Sequence, residues 1–149
     1  MSATERMRAR PAIDGDGAAA ILRKEWRLPS TELSVCSLRH GLRSFLDDTG
    51  LPPDELHDLL LAACEAATNA IEHAQHPSEP YFDVLFEVED GQVTIVVRDH
   101  GQWRDGPSGP HRGRGLMMMA ALADTTVSSL PQGTTVTIRP SAAGAGPGG

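Results

Sequence analysis

The run from residue 56 to residue 74 constrains this chain more than any other. Leu56, Leu59, Leu60, Ala63, Ala67, Ala70, Ile71 and Ala74 recur at steps of three and four. That spacing gathers them on one side of an α-helix, so the run predicts a long amphipathic helix whose stripe must pack on another element. Pro52 and Pro53 restart the chain into it, and Asp54 and Glu55 fall in its first turn, where the helix dipole favours negative charge. Glu65 and Asn69 lie off the stripe. Being four apart, they sit one above the other, where a carboxylate and an amide oxygen can approach one ligand together. Ala62 and Ala66 beside them leave room. Taken alone, such a pair is an ordinary solvated helix face, and only its company downstream gives it meaning.

Before this helix, residues 21–28 read as a strand with Trp26 and Leu28 on one face, ended by Pro29. Ser30 or Thr31 then caps a helix carrying Val35, Leu38, Leu42, Phe45 and Leu46, with Arg39 and Arg43 on another side. The two arginines are exposed charge by default, with an interaction surface as the second reading. Thr49-Gly50 closes that helix. After His76-Pro77 the period changes to two: Phe82, Val84, Phe86 and Val88, then a turn at Asp90-Gly91, then Val93, Ile95 and Val97. The hairpin delivers Asp99-His100-Gly101 to the end of its second strand.

Residues 102–114 hold Gly106, Pro107, Gly109, Pro110 and Gly113, which rules out a regular element and predicts a loop; it also carries Arg104, His111, Arg112 and Arg114. Residues 116–122 read as a short helix whose first amides point back at the glycines and suit an anion. Met117, Met118 and Met119 read as core filler. Strands over 125–130 and 134–139, joined by Pro131-Gln132-Gly133, complete the order. It fits an α+β fold, a two-layer sandwich of a mostly antiparallel sheet with helices on one face.

With 149 residues, the chain is expected to form one domain over about residues 20–139. Residues 1–19 lack periodicity and 140–149 are a Pro/Gly/Ala tail, so both ends are expected to be disordered. A net charge of −7 argues against holding nucleic acid by its phosphates. No apolar run approaches a membrane span, which points to a cytoplasmic protein without a membrane partner. Cys36 and Cys64 lack metal-ligand spacing and read as small buried residues. Glu72, His73 and His76 have the spacing of a metal site but lack a clear further ligand.

A loop of glycines and arginines before a helix N-terminus, facing an Asn and a Glu, has the parts that a magnesium nucleotide needs. Amides and guanidinium groups hold phosphate oxygens, and the Asn69 oxygen can ligate Mg²⁺. Glu65 can take a proton from an attacking hydroxyl or water. Asp99 can accept a hydrogen bond from the exocyclic amine that distinguishes adenine from guanine.

Glu65-Ala-Ala-Thr-Asn69-Ala, Asp99-His-Gly101, Gly113-Arg-Gly115 and Gly133-Thr134-Thr135 resemble the N box and the three glycine boxes of the GHKL ATPase superfamily. EAATNAIEHA and an early helix bearing Arg39 are most similar to its bacterial anti-sigma factor serine kinases, over about residues 28–139. The resemblance implies a Bergerat-type fold with ATP between the central helix and a lid. It implies Asn69 as the Mg²⁺ ligand, Glu65 as catalytic base and Asp99 at the adenine. Gly101, Gly113 and Gly115 would shape pocket and lid, Arg114 would lie with them at the nucleotide, and Thr134 or Thr135 would support the base. The implied substrate is a serine of a STAS-type anti-sigma-factor antagonist, which competes with a sigma factor for the kinase. Arg39, with Arg43 as fallback, would contact those partners, and a homodimer is also implied.

One residue departs from the pattern. Trp103 stands where the first glycine box usually has its second glycine, so a tryptophan can pack on the nucleotide or narrow its pocket. A histidine-kinase catalytic domain is the nearest rival, but no helix with a phosphoacceptor histidine precedes this one. Gyrase-, MutL- or Hsp90-like ATPases need further domains. The alternative from another class is a non-catalytic module that sequesters a sigma factor or other regulator, with ATP structural or absent.

Overall fold

The period-two run folds as expected. In the computed structural model, which describes residues 4–10, 21–75, 79–103 and 113–141, β4 (Tyr81–Glu89) and β5 (Gln92–Arg98) form a hairpin. Its turn places Asp90 at φ 57° and Gly91 at φ 78°. Both values are left-handed, the geometry that matches a two-residue turn to the twist of its strands. Phe82, Val84, Phe86, Val93, Ile95 and Val97 are buried on one face, while Leu85, Val96 and Thr94 alternate onto the other.

Around this hairpin an antiparallel sheet runs in the order β1 (Thr4–Arg10), β2 (Ile21–Pro29), β4, β5, β8 (Gly133–Arg139), β7 (Asp124–Leu130). Between β2 and β4 the chain makes α1 (Glu32–Leu46) and α2 (Pro53–His73), which cover the buried face together with α3 (Gly113–Leu122). A two-stranded piece pairs β3 (Ala74–Gln75) with β6 (Gln102–Trp103). The architecture is the α+β two-layer sandwich expected, with α2 in the middle of the helical layer, packed on both α1 and α3.

That central position accounts for two departures from the helical pattern. Ala62 and Ala66 are 0% and 1% exposed and belong to the core with Leu59, Leu60, Ala63, Ala67 and Ala70. Asn69, which the stripe would put outside, is also buried. A helix flanked on both sides and below has three covered faces, and alanine lets its neighbours approach closely. α1 follows its pattern, with Leu38, Leu42 and Leu46 fully buried and Val35 and Phe45 at the margin.

Four further expectations need correction. Thr4–Arg10, expected to be loose, is a strand paired along β2 from Thr4 with Arg27 to Arg10 with Ile21. Strand addition is driven by backbone hydrogen bonds to a free edge, which leave no hydrophobic period to read. α3 begins at Gly113, three residues before its apolar run, so Gly113 and Gly115 lie inside its first turn. Of the three methionines only Met119 is buried; Met117 and Met118 are 72% and 49% exposed. Consecutive residues on a helix point about 100° apart, so three in a row cannot share one face. Cys36 is likewise exposed and Cys64 only partly buried, both as free thiols. No helix among the described residues is long and apolar enough to cross a membrane.

Candidate functional site

Alternation along β5 turns Val97 inward and Arg98 outward, and Asp99, just past the strand, turns inward and is 3% exposed. Its Oδ1 accepts from the Gly101 amide at 3.2 Å and the Thr134 amide at 3.0 Å, while its own amide donates to the Thr134 carbonyl at 2.9 Å. A buried carboxylate is tolerable only with such donors, and two amides fix its plane. The corner requires glycine at 133, because a Cβ there would run into the Asp99 backbone carbonyl. From the sequence Gly133 reads only as a turn residue; its closest neighbour is 34 positions away, and no local signal reveals it.

Thr134 is 1% exposed and its Oγ1 lies 3.5 Å from the Ser129 hydroxyl. Thr135 belongs to the opposite face of the sheet, paired with Arg98 and Ser128. Of the two threonines offered as support for the base, the fold brings only Thr134 to the Asp99 corner.

The β3/β6 pair ties the end of α2 to the chain leaving Gly101, with Ala74 opposite Trp103 and Gln75 opposite Gln102. It thereby sets Asn69, one turn before the end of α2, at the same end of the sandwich as Asp99. Asn69 is 4% exposed, and its Nδ2 is a buried polar atom with no hydrogen-bond partner among the described residues. An amide end left without a partner in the interior is unfavourable unless something else meets it. The two ends of the amide are nearly isosteric, so a half-turn presents the oxygen in the same place.

Glu65, one turn earlier, is half-buried. Its carboxyl is pushed above the usual carboxylate range, first by loss of water and then by the negative charge of Glu72. A raised carboxyl is a stronger base once ionised, as proton abstraction from a hydroxyl needs. Beside it, Glu32, Val35, Thr68, Ile71 and Glu72 line a groove of about 250 Å³ between α1 and α2. Burial also pushes the Cys64 thiol up, opposed by the positive charge of Arg39, which puts Arg39 across the α1/α2 seam from the residue preceding Glu65. Arg39 and Arg43 are both exposed.

Gly113 and Gly115 sit in the first turn of α3 with Arg114 between them. Their amides are among the first four N–H groups of the helix, which have no partner inside it. Trp103 pairs through its backbone with Ala74; the side chains of Trp103, Arg114 and His73, and all of His76, Arg104, His111 and Arg112, lie outside the described residues. No group of three metal-ligating His, Cys, Asp or Glu side chains forms among the described residues. A larger concavity of about 600 Å³, lined among others by Arg23, Arg27, Asp83 and Arg98, is on the sheet face away from the helices and from these groups.

A buried amide with an unmet end, a carboxylate held by amides and a glycine-started helix fit a magnesium nucleotide: Asn69 would hold the metal, Asp99 the base, and the α3 amides the phosphates. A family model described as a histidine kinase-like ATPase domain matches residues 28–139, and the chain belongs to that family. Within it, the serine-protein kinase RsbW of Staphylococcus epidermidis is 26% identical over 76% of this chain and 83% of the relative. RsbW of Staphylococcus aureus strain Newman is 25% identical over the same shares. A crystal structure of RsbU and RsbW domains from Mycobacterium tuberculosis aligns with a TM-score of 0.63 at 25% identity. It covers 78% of this chain and 32% of the solved one, so the chain spans about a third of that polypeptide. The expected kinship to anti-sigma factor serine kinases is thereby shown at the level of the family.

Proposed function

We propose that this chain is an ATP-dependent protein serine kinase and anti-sigma factor that phosphorylates a STAS-type antagonist and binds a sigma factor in its absence. The observation that carries this is the Glu65–Asn69 pair: one helical turn separates a half-buried, strengthened base from a buried amide with an unmet end. Bound Mg-ATP supplies the transferable phosphoryl group. Asn69 would hold the metal, and Glu65, nearer the surface, meets the incoming serine and takes its hydroxyl proton as the oxygen attacks. The bond from the γ-phosphorus to its bridging oxygen breaks, and ADP keeps that electron pair. Asp99 accepts from the adenine amine, and Arg39 on the neighbouring helix contacts the protein partner. A homodimer and a cytoplasmic site of action belong to the same reading.

The test is a calorimetric titration of Mg-ATP with wild type and Asn69→Ala, followed by phosphate transfer to an antagonist with Glu65→Gln. Wild-type binding that weakens at least tenfold in Asn69→Ala, with transfer cut about 10²-fold or more in Glu65→Gln and partner binding kept, is expected. Arg39→Ala is expected to weaken the partner in a pull-down and leave Mg-ATP binding intact. A folded wild type that takes no nucleotide yet retains a sigma factor would replace the kinase by a sequestering module.

A further inference from the structure

Asp99 is flanked by a residue that none of the site chemistry uses. Alternation turns His100 away from the helices, onto the open face of the sheet, as it turns Asp99 toward them. There the His100 Nε2 lies 2.8 Å from Asp83 Oδ2. The other oxygen of Asp83, Oδ1, accepts from Arg27 Nε at 2.9 Å. A carboxylate only accepts, so Nε2 carries the proton in this bond. Tyr81 closes the group: its ring meets the His100 ring edge-on at 5.1 Å, and the Arg27 guanidinium stacks over it at 4.0 Å. Arg27 and Asp83 are direct cross-strand partners of β2 and β4, and Tyr81 follows two residues before Asp83 on the same face. Asp83 is about one-third exposed and His100 17% exposed, which makes the His100 bond the more sheltered of the two that Asp83 makes.

The geometry has a consequence for the corner on the other side. Asp99 Oδ1 is held by the amides of Gly101 and Thr134, so its aim depends on the backbone at 99–101. That backbone has left the β4/β5 ladder, whose last pair is Asp83 with Arg98. Asp99 itself reaches β8 through Thr134, and His100 is the side chain that ties this backbone to β4. We propose that His100, held by Asp83 within the Arg27–Tyr81 group, is the positioning residue of the Asp99 corner, and that selectivity for adenine is set through it from the face of the sheet opposite the nucleotide. This rests on the nucleotide reading above for the word adenine, but not for the bracing itself.

Two measurements on the full chain separate these. In nucleotide-free protein, amide hydrogen exchange at Gly101 and Thr134 is expected to speed up roughly tenfold in His100→Ala and in Asp83→Asn, with the Ile95 amide unchanged. His100→Gln, which keeps an N–H donor toward Asp83, is expected to recover most of the protection, and the double variant to go no further than either single one, because the pair acts as a unit. Calorimetry with Mg-ATP and Mg-GTP is then expected to show the preference for ATP narrowed roughly three- to tenfold in His100→Ala and restored in His100→Gln. Unchanged exchange at Gly101 and Thr134, additive single variants, or a uniform rise that includes Ile95 would overturn the bracing. Intact bracing with an unaltered ATP preference would overturn the selectivity role. A wild type that binds neither nucleotide would remove the adenine reading, while the exchange data would still decide the brace.

Discussion

Asp99, past the end of β5, is 3% exposed and has Oδ1 held by two backbone amides, whereas Glu65, on α2, is half-buried with its carboxyl pushed up by loss of water and by Glu72. The two carboxylates belong to one candidate site and are handled oppositely. Donors aimed at Asp99 reward its charge and lock its direction. No such donor meets Glu65 among the described residues, and burial together with the charge of Glu72 raises its appetite for a proton. The corner at Asp99 is therefore part of the scaffold, and its removal should disturb the fold; Glu65 is held at some expense to the fold, and its neutralisation should relieve it.

Asp99→Ala should show the largest effect on stability. It strands the Gly101 and Thr134 amides without their acceptor, and a loss of about 2–4 kcal/mol is expected from the denaturation midpoint. Gly133→Ala attacks the same corner from β8, where the new methyl meets the Asp99 carbonyl; about 1–3 kcal/mol is expected. A Gly133→Ala protein as stable as wild type would mean that the corner yields, and the contrast with Glu65 would lose its basis.

Asn69→Ala is expected to shift the midpoint by less than about 1 kcal/mol, since it removes a buried amide end that no described residue meets, while weakening Mg-ATP. Smallest is Glu65→Gln. A carboxyl raised in the folded state binds its proton more tightly there than in the unfolded chain. Stability is then lost as the pH climbs from about 4.3, the unfolded value, through the folded one. At pH 7 the glutamine variant should melt about 1 °C above wild type, and the gap should vanish below about pH 4. A gap that stays constant with pH would show that Glu65 is not held at a cost. That Glu65→Gln stabilises while it stops transfer is the sharpest form of the contrast with Asp99.

Much of this was legible beforehand where the cause is local. The β4/β5 hairpin follows from strict alternation and from Asp90-Gly91, which accept the left-handed backbone that the turn demands. α1 and α2 follow from their stripes and from their Pro and Gly boundaries. Asp99 could be read as a buried carboxylate because a strand that buries Val93, Ile95 and Val97 also turns its continuation inward at 99.

Position along the chain could not show what lies across it. Ala62, Ala66 and Asn69 are buried because α2 is packed on both flanks, a fact about neighbours rather than spacing. The β1 strand depends on an open edge at β2, and the choice of Thr134 over Thr135 depends on the register of β8 against β5. His100 shows the division most clearly. Its place beside Asp99 was written in the chain, but its partner Asp83 lies 17 residues back on another strand. The sequence by itself determined which helices and strands could form and which side chains were candidates for the site, because periodicity and turn preference act within a few residues. The tertiary structure alone decided which of those side chains meet, because burial and hydrogen-bond satisfaction are settled by neighbours that are distant in sequence and close in space.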